Sequence, residues 1–252
     1  MPTEIDEIIN FCDTLLDAAA FDDWSPNGLQ LPGRTETDTI VTGVTARLEL
    51  FEAAADLGAG LVITHHGILH GAGERIDRLQ AARLKALLSN DLALAQYHLP
   101  LDAHPEIGNN ALLAKGLGAE VTGRCCAVKG REIGVVAVFA GGIEADELVA
   151  RVEALCGRPP LALLNGSSPI NRLGIVSGAA ASSVPAIAEL GLDGLLTGEP
   201  SEHAVPLAAE AGIDLICAGH HATETFGIKR LGELIAERYG LTHQFVNIDN
   251  PV

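Results

Sequence analysis

A short apolar run, Leu61 to Thr64, ends directly in two adjacent histidines, His65 and His66, which are followed by Gly67. The β-branched residues of this run predict a short buried strand. Neighbouring side chains of a regular strand point to opposite faces, so we expect the backbone to turn sharply at Gly67 if both imidazoles are to reach one site. Paired imidazoles at the carboxyl end of an α/β strand indicate a metal site.

This run belongs to a strand–helix–strand unit. Ile40 to Val44 predicts a strand, Leu48 to Leu57 predicts a helix that ends at Gly58, and Leu61 to Thr64 is the second strand. A further strand is predicted at Leu92 to Gln96. Short connections of this kind are typical of βαβ units with parallel strands.

The same pattern recurs in the second part of the chain. Gly174 to Thr197 can be laid over Val41 to Thr64 without a gap, and both copies place a His-x-x-x-carboxylate after a later strand, at His98 to Asp102 and at His220 to Glu224. Periodic α/β patterning by chance is the alternative to an internal duplication. The duplication predicts an α/β fold of two similar halves with mostly parallel sheets. We expect a first half at residues 1–119, a short bridging segment without a large insertion at 120–172, and a second half at 173–252 that completes the site.

All the candidate ligands follow predicted strands, where the ligand crevice of an open α/β sheet lies. They are His65, His66, His98, Asp102, Glu199, His220 and Glu224. Imidazoles and carboxylates suit zinc, manganese, iron, cobalt or nickel, and there are more of them than one four-coordinate ion needs. The set therefore predicts two divalent ions and a metal-activated water. Glu199 is predicted to act as a general base or as a partner that orients a ligand. Two other histidines, His70 and His243, are assigned to the ordinary surface or core.

Composition excludes several classes of function. A net charge of −17 argues against nucleic-acid binding, which needs clustered Lys and Arg. Five cysteines without a C-x-x-C pair argue against a disulfide scaffold or a zinc ribbon. The vicinal pair Cys125 and Cys126 is read as two small buried hydrophobes, with redox activity as the alternative.

No apolar run is long enough to span a membrane, and the N-terminus lacks a basic leader, so we expect a cytoplasmic protein. Neither a phosphate-binding loop nor a nucleophile elbow is found.

Five segments and the chain end carry a resemblance to a known family. They are Trp24-Ser-Pro-Asn-Gly-Leu-Gln30, Ile63-Thr-His-His-Gly67, His98-Leu-Pro-Leu-Asp-Ala-His-Pro-Glu-Ile-Gly-Asn-Asn110, Leu196-Thr-Gly-Glu199, Gly219-His-His-Ala-Thr-Glu-Thr225 and Asn250-Pro251. In this order, over nearly the whole chain, they resemble the GTP cyclohydrolase I type 2 homologues, also described as Ngg-one-interacting-factor-three-like or dinuclear metal centre hexameric proteins. This chain has His221 where many relatives have Tyr.

The resemblance implies two similar α/β halves around a shared dinuclear site, in a toroidal homohexamer. It implies five metal ligands, namely His65, His66, Asp102, His220 and Glu224. His98 would contact a metal or orient Asp102. The implied activity is that of a metal-dependent hydrolase acting on a small molecule or a nucleotide. The alternative is a non-enzymatic oligomeric scaffold or regulatory protein that binds metal and has protein partners.

Overall fold

The computed structural model describes residues 2–70, 75–166 and 168–252. The strands, in chain order, are β1 (Thr3–Glu4), β2 (Gly28–Leu31), β3 (Glu36–Thr37), β4 (Thr39–Thr45), β5 (Leu61–His66), β6 (Ala93–Gln96), β7 (Glu120–Val128), β8 (Arg131–Ile143), β9 (Leu161–Leu163), β10 (Ile170–Val176), β11 (Gly194–Thr197), β12 (Asp214–Cys217) and β13 (Thr242–Phe245). The α-helices are α1 (Ile5–Leu16), α2 (Leu48–Asp56), α3 (Arg78–Ser89), α4 (Leu99–Asp102), α5 (Asn109–Gly116), α6 (Ala145–Cys156), α7 (Val184–Glu189), α8 (Ala204–Ala211), α9 (His220–Thr223) and α10 (Thr225–Tyr239). None of these helices is both long and apolar enough to cross a membrane.

The chain divides into two compact units, and the first comprises Met1–Leu101 and Gly227–Asp249. Its main sheet has the strand order β13-β4-β5-β6-β2. All neighbouring pairs are parallel except the edge pair β6–β2, which is antiparallel. Because β5 and β6 are parallel neighbours, the residues at their carboxyl ends lie at one edge of the sheet. The fold thereby places His65, His66 and His98 at the same edge.

The second unit comprises Asp102–Phe226 and Asn250–Val252. Its sheet is mixed, with the order β7-β8-β10-β11-β12-β9. Three strands, β10, β11 and β12, are parallel, and the remaining pairs are antiparallel. Alternate residues of β10 enter different apolar clusters: Leu173 and Ile175 enter one, and Val176 enters the other. Both faces of this strand are therefore buried, which explains its nearly continuous apolar sequence.

The two halves are similar, as predicted. Each unit holds three parallel strands in chain order, β4, β5 and β6 in one and β10, β11 and β12 in the other. In each unit an antiparallel edge strand, β2 or β9, pairs with the third of them. The second sheet is mixed rather than mostly parallel, because the β7–β8 hairpin adds two antiparallel pairs.

The predicted domain boundaries do not coincide with these units. Residues 120–172 were expected to bridge the halves, but β7, β8 and β9 are strands of the second unit's own sheet. The C-terminal part was expected to belong wholly to the second half. Instead, β13 pairs with β4, and the segment Gly227–Asp249 returns to the first unit. Backbone pairing between distant strands decides these memberships.

The histidine pair does not require the sharp turn expected at Gly67. Both His65 and His66 are the last residues of β5, and Gly67 does not adopt a left-handed φ. A different constraint acts there, since a Cβ would lie 2.2 Å from Oε1 of Gln30 and the Gln30 side chain would have to move. The amide of Gly67 also donates to Oε1 of Gln96 over 2.6 Å. Close approach of two glutamine side chains, rather than a turn, fixes this position.

Candidate metal centre

Three histidines of the first unit form a compact group. The available nitrogen atoms of His65, His66 and His98 all lie within 4.8 Å of one another. His65 and His98 are buried, and His66 is partly exposed. Three imidazoles gathered in this way, with one of them open to solvent, form a ligand set for a borderline divalent ion.

The hydrogen bond of His65 fixes which nitrogen can bind a metal. Its Nδ1 lies 2.9 Å from the backbone oxygen of Tyr97. A carbonyl oxygen only accepts, so Nδ1 of a neutral His65 carries the proton and Nε2 presents a lone pair. Metal-binding histidines are commonly oriented by such a bond from the second ring nitrogen.

His98 is held by a carboxylate in the same manner. Its Nδ1 donates to Oδ1 of Asp23 over 2.9 Å, and both side chains are almost completely buried. Asp23 also accepts from the backbone amides of Trp24 and Leu99, at 2.7 and 3.0 Å, and from the side chain of Asn27 at 3.1 Å. Burial opposes ionisation, but these hydrogen bonds and the neighbouring imidazole outweigh it and lower the pKa of Asp23 to about 2. Sequence reasoning missed Asp23, although it immediately precedes the matching Trp24–Gln30 segment.

In the second unit, the carboxylate of Asp102 is fixed by two side chains. Its Oδ1 accepts from Nδ2 of Asn109 at 2.8 Å and from Oγ of Ser177 at 3.0 Å. Asn110 donates to the backbone oxygen of Asp102 and accepts from the amide of Ser177. The Asn109-Asn110 pair, recognised in the sequence without a role, therefore orients a predicted ligand.

The other two predicted ligands of this unit lie together. Nε2 of His220 is 3.1 Å from Oε1 of Glu224, and Nδ1 of His220 is 3.1 Å from Oε1 of Glu199. Burial alone would lower the pKa of His220, but the Glu224 and Glu199 carboxylates outweigh it and raise this pKa to about 9. Glu199 thus contacts the predicted ligand His220 at Nδ1, whereas Glu224 contacts it at Nε2.

A glycine keeps space beside these ligand atoms. A Cβ on Gly178 would lie 2.5 Å from Oε1 of Glu224 and 3.3 Å from Nε2 of His220, and the φ of Gly178 is +68°. The amide of Gly178 donates to Oγ1 of Thr223, which anchors the loop there. Nitrogen and carboxylate donors around space that a methyl group would fill fit a metal ion. Gly178 carried no signal in the sequence, because only its position in three dimensions gives it this role.

Three further histidines differ in their relation to the histidine group. The ring centroid of His70 lies 5.0 Å from that of His66, so this residue adjoins the histidine group although sequence reasoning set it aside. His243 lies elsewhere in the first unit, where Nε2 is 2.8 Å from Oγ1 of Thr42. His221 is buried, and its amide donates to the backbone oxygen of Val252.

Comparison with known proteins identifies the family and the fold. The family described as Duf34/NIF3 (NGG1p interacting factor 3) matches residues 3–251. A "GTP cyclohydrolase 1 type 2 homolog" of Pseudomonas aeruginosa is 39% identical over 252 residues, which is 100% of both chains. The protein of the same name from Escherichia coli K12 is 41% identical over 251 residues, covering 99% of this chain and 98% of its own.

Solved structures show the same fold. A structural-genomics protein called ybgI, described as of unknown function, superposes with a TM-score of 0.94 at 38% identity over 99% of this chain and 100% of its own. TTHA1606 from Thermus thermophilus superposes with a TM-score of 0.86 at 29% identity over the same shares. With a family match over almost its whole length and full-length relatives near 40% identity, this chain belongs to the Duf34/NIF3 family.

Proposed function

We propose that this protein holds two divalent metal ions and acts as a metal-dependent hydrolase on a small molecule or a nucleotide. The observation that carries the proposal is the group formed by His65, His66 and His98, whose ligand atoms lie within 4.8 Å of one another. Acceptors at Tyr97 and Asp23 orient two of these rings, as is usual for histidines that hold an ion.

The proposed ligands come from both units. His65 and His66 are contributed by the first, and Asp102, His220 and Glu224 by the second. We propose that His98 joins the two neighbouring histidines, since its ring nitrogen lies within 4.8 Å of theirs. The number of ions rests on the sequence resemblance and on a donor set larger than one four-coordinate ion requires. Zinc, iron, manganese, cobalt and nickel all suit these donors.

Bound divalent ions of this kind lower the pKa of water and polarise the bond under attack. The residues around the proposed ions orient the imidazole rings and hold or accept protons. Asp23 holds the proton on Nδ1 of His98, and Glu199 accepts from Nδ1 of His220. Glu199 is a third exposed, so its carboxylate can also take a proton from a reacting water. We propose orientation of His220 as its first role and general base catalysis as the second.

Hydrolysis as the reaction class is proposed from the ligand set, and the names of relatives only suggest which bond is broken. Two "GTP cyclohydrolase 1 type 2 homolog" proteins match this chain over its full length, and these names suggest hydrolysis of a ring C–N bond. A phosphoester is the other bond that such ions activate. We also propose that the protein is cytoplasmic and assembles as a toroidal homohexamer. Light scattering should then give six times the 26.2 kDa of one chain.

Elemental analysis of purified variants tests the site. His65→Ala and Glu224→Ala should each lower the metal content relative to the wild-type protein. Asp56→Ala, a change of an exposed helix carboxylate, is the control and should keep the full content. Full metal content in both ligand variants would refute the assigned site.

Turnover separates the hydrolase from the non-enzymatic alternative. Metal-loaded protein should be screened against nucleotides, phosphoesters and cyclic amides, with His65→Ala as the control. Metal-dependent turnover that His65→Ala abolishes supports the hydrolase. If a broad panel gives none while the metal content stays complete, the oligomeric scaffold or regulatory protein is the better account.

A further inference from the structure

An arginine lies at the same edge of the second unit's sheet as His220. β9 runs antiparallel to β12, and Leu161 is paired with Cys217, so the residues before β9 lie beside those that follow β12. Arg158 is one of them. A Cβ on Gly219 would lie 2.7 Å from Nη1 of Arg158 and 3.2 Å from its Cζ, and the φ of Gly219 is +101°. The guanidinium therefore lies against the backbone of the residue directly before His220.

This guanidinium has no counter-charge. Its Nη1 is buried and has no hydrogen-bond partner among the residues that the structure describes. Acidic residues outnumber Lys and Arg by 33 to 16 in the sequence, yet within the described part of the chain none forms an ion pair with Arg158. The two carboxylates that follow β11 and β12, Glu199 and Glu224, contact His220 instead.

The thiol of Cys156, at the end of α6, does not supply the missing negative charge. Burial raises its pKa to about 11, although the positive charge of Arg158 acts in the other direction. The thiol is therefore neutral at pH 7, and the charge of Arg158 is left uncompensated on this side.

A desolvated positive charge without a partner costs free energy. Buried charges are normally paired, and the charge of a guanidinium is delocalised over its three nitrogens, so the cost falls on the whole group. Arg158 is only partly buried, which leaves part of the side chain open to a ligand from solvent. A bound anion would compensate the charge and explain why the folded protein keeps an unpaired arginine at this place.

We infer that Arg158 binds an oxyanion of the substrate, a phosphate or a carboxylate, beside His220. The planar guanidinium presents paired N–H donors that match two oxygens of either group. This inference rests on the proposed function, in which the bond under attack lies at the proposed ions while Arg158 holds a charged group of the same molecule. Arg158 would thus select and position the substrate without taking part in bond breaking.

Calorimetric titration of the full chain with inorganic phosphate and, separately, with acetate tests the inference. Arg158→Gln, which removes the charge and keeps a polar side chain, should weaken binding of the preferred anion by about 10- to 100-fold, as expected for a hydrogen bond to a charged group. Arg172→Gln is the matched control, because it removes the same charge at the start of β10, the opposite end of the parallel strands. It should bind as the wild type does.

A second variant keeps the test decisive if Arg158→Gln folds poorly. Arg158→Lys retains a positive charge but loses the paired donors, so it should bind the same anion roughly 3- to 10-fold more weakly than the wild type. Thermal unfolding and metal content are measured for each variant. A purely structural arginine would lower the unfolding temperature and leave the anion affinity unchanged.

The titrations are run on zinc-loaded and on chelator-treated protein. Binding of phosphate or acetate that depends on Arg158 in either form supports the inference, even if the metal content refutes the metal site, and the anion that binds identifies the group. Full metal content with equal anion affinities for the wild type, Arg158→Gln and Arg158→Lys overturns this inference alone. It is also overturned if neither anion gives a saturable response, or if Arg172→Gln weakens binding as much as Arg158→Gln.

Discussion

Oδ1 of Asp23 accepts a hydrogen bond from Nδ1 of His98 over 2.9 Å, across 75 positions of the sequence. The bond ties the loop after α1 to the carboxyl end of β6. It holds the His98 ring in one orientation and leaves Nε2 as the nitrogen available to an ion. The Asp23 carboxylate is therefore as much a part of the candidate centre as the imidazole it supports.

Replacing Asp23 by asparagine should weaken metal binding by about 10- to 100-fold, because the charge that orients His98 and raises its donor strength is lost. Chelator competition on the purified Asp23→Asn protein measures this affinity. Asp22→Asn, at the adjacent exposed carboxylate, is the control and should bind metal as the wild type does. Equal affinities for Asp23→Asn and the wild type would show that the bond is structural only.

Replacing Gly178 by alanine should prevent metal binding by His220 and Glu224, since the new Cβ would lie 2.5 Å from Oε1 of Glu224. The substitution also forces alanine into a left-handed φ, at a cost of about 1–3 kcal/mol. Gly191→Ala is the matched control, because Gly191 has a φ of +61° and no atom within 4 Å of the added Cβ.

Both alanine variants should lose stability on denaturant unfolding because of the left-handed φ, and Gly178→Ala should lose more because its Cβ also meets Glu224. Only Gly178→Ala should lose metal. A Gly178→Ala protein with full metal content would contradict the assignment of this space to an ion.

Replacing Glu199 by glutamine separates its two proposed roles. The amide oxygen can still accept from Nδ1 of His220, so the ring orientation is kept while the negative charge is lost. If Glu199 mainly orients His220, metal affinity should fall by up to about 10-fold, and kcat of the metal-saturated protein should change little. A loss of kcat by roughly 100-fold or more with unchanged metal affinity would instead identify Glu199 as the general base.

Metal binding by His220 should release a proton at neutral pH. The Glu224 and Glu199 carboxylates overcome the effect of burial and raise its pKa to about 9 without metal, so the ring is protonated and an ion must displace the proton. Affinity should therefore increase as the pH rises towards 9. Calorimetry in two buffers with different ionisation enthalpies measures the released proton, and identical apparent enthalpies would contradict the prediction.

The raised pKa of His220 has the opposite pH dependence for the stability of the metal-free protein, which should decrease as the pH rises. Its contribution is complete below pH 6.5 and is lost as the pH rises through about 9, because only the protonated ring pairs with the carboxylates. Thermal unfolding of chelator-treated protein across this range checks the sign.

Sequence alone determined the α/β class, the two similar halves and the positions of the candidate ligands. These follow from local pattern, because β-branched apolar runs specify strands and the polar residues that end them lie at the carboxyl edge of a sheet. His65, His66 and His220 could be named in this way without coordinates. The family resemblance then implied which five of the candidates are metal ligands, namely His65, His66, Asp102, His220 and Glu224.

Tertiary structure decided what supports these ligands and which unit each segment joins. The partners Asp23, Ser177 and Gly178 lie far along the chain from His98, Asp102 and Glu224, and no local period encodes such pairings. The return of β13 to β4 is of the same kind, since backbone hydrogen bonds between distant strands are chosen by packing of the whole sheet. Local sequence thus specifies where a ligand stands on its strand, whereas contacts between distant segments fix its orientation.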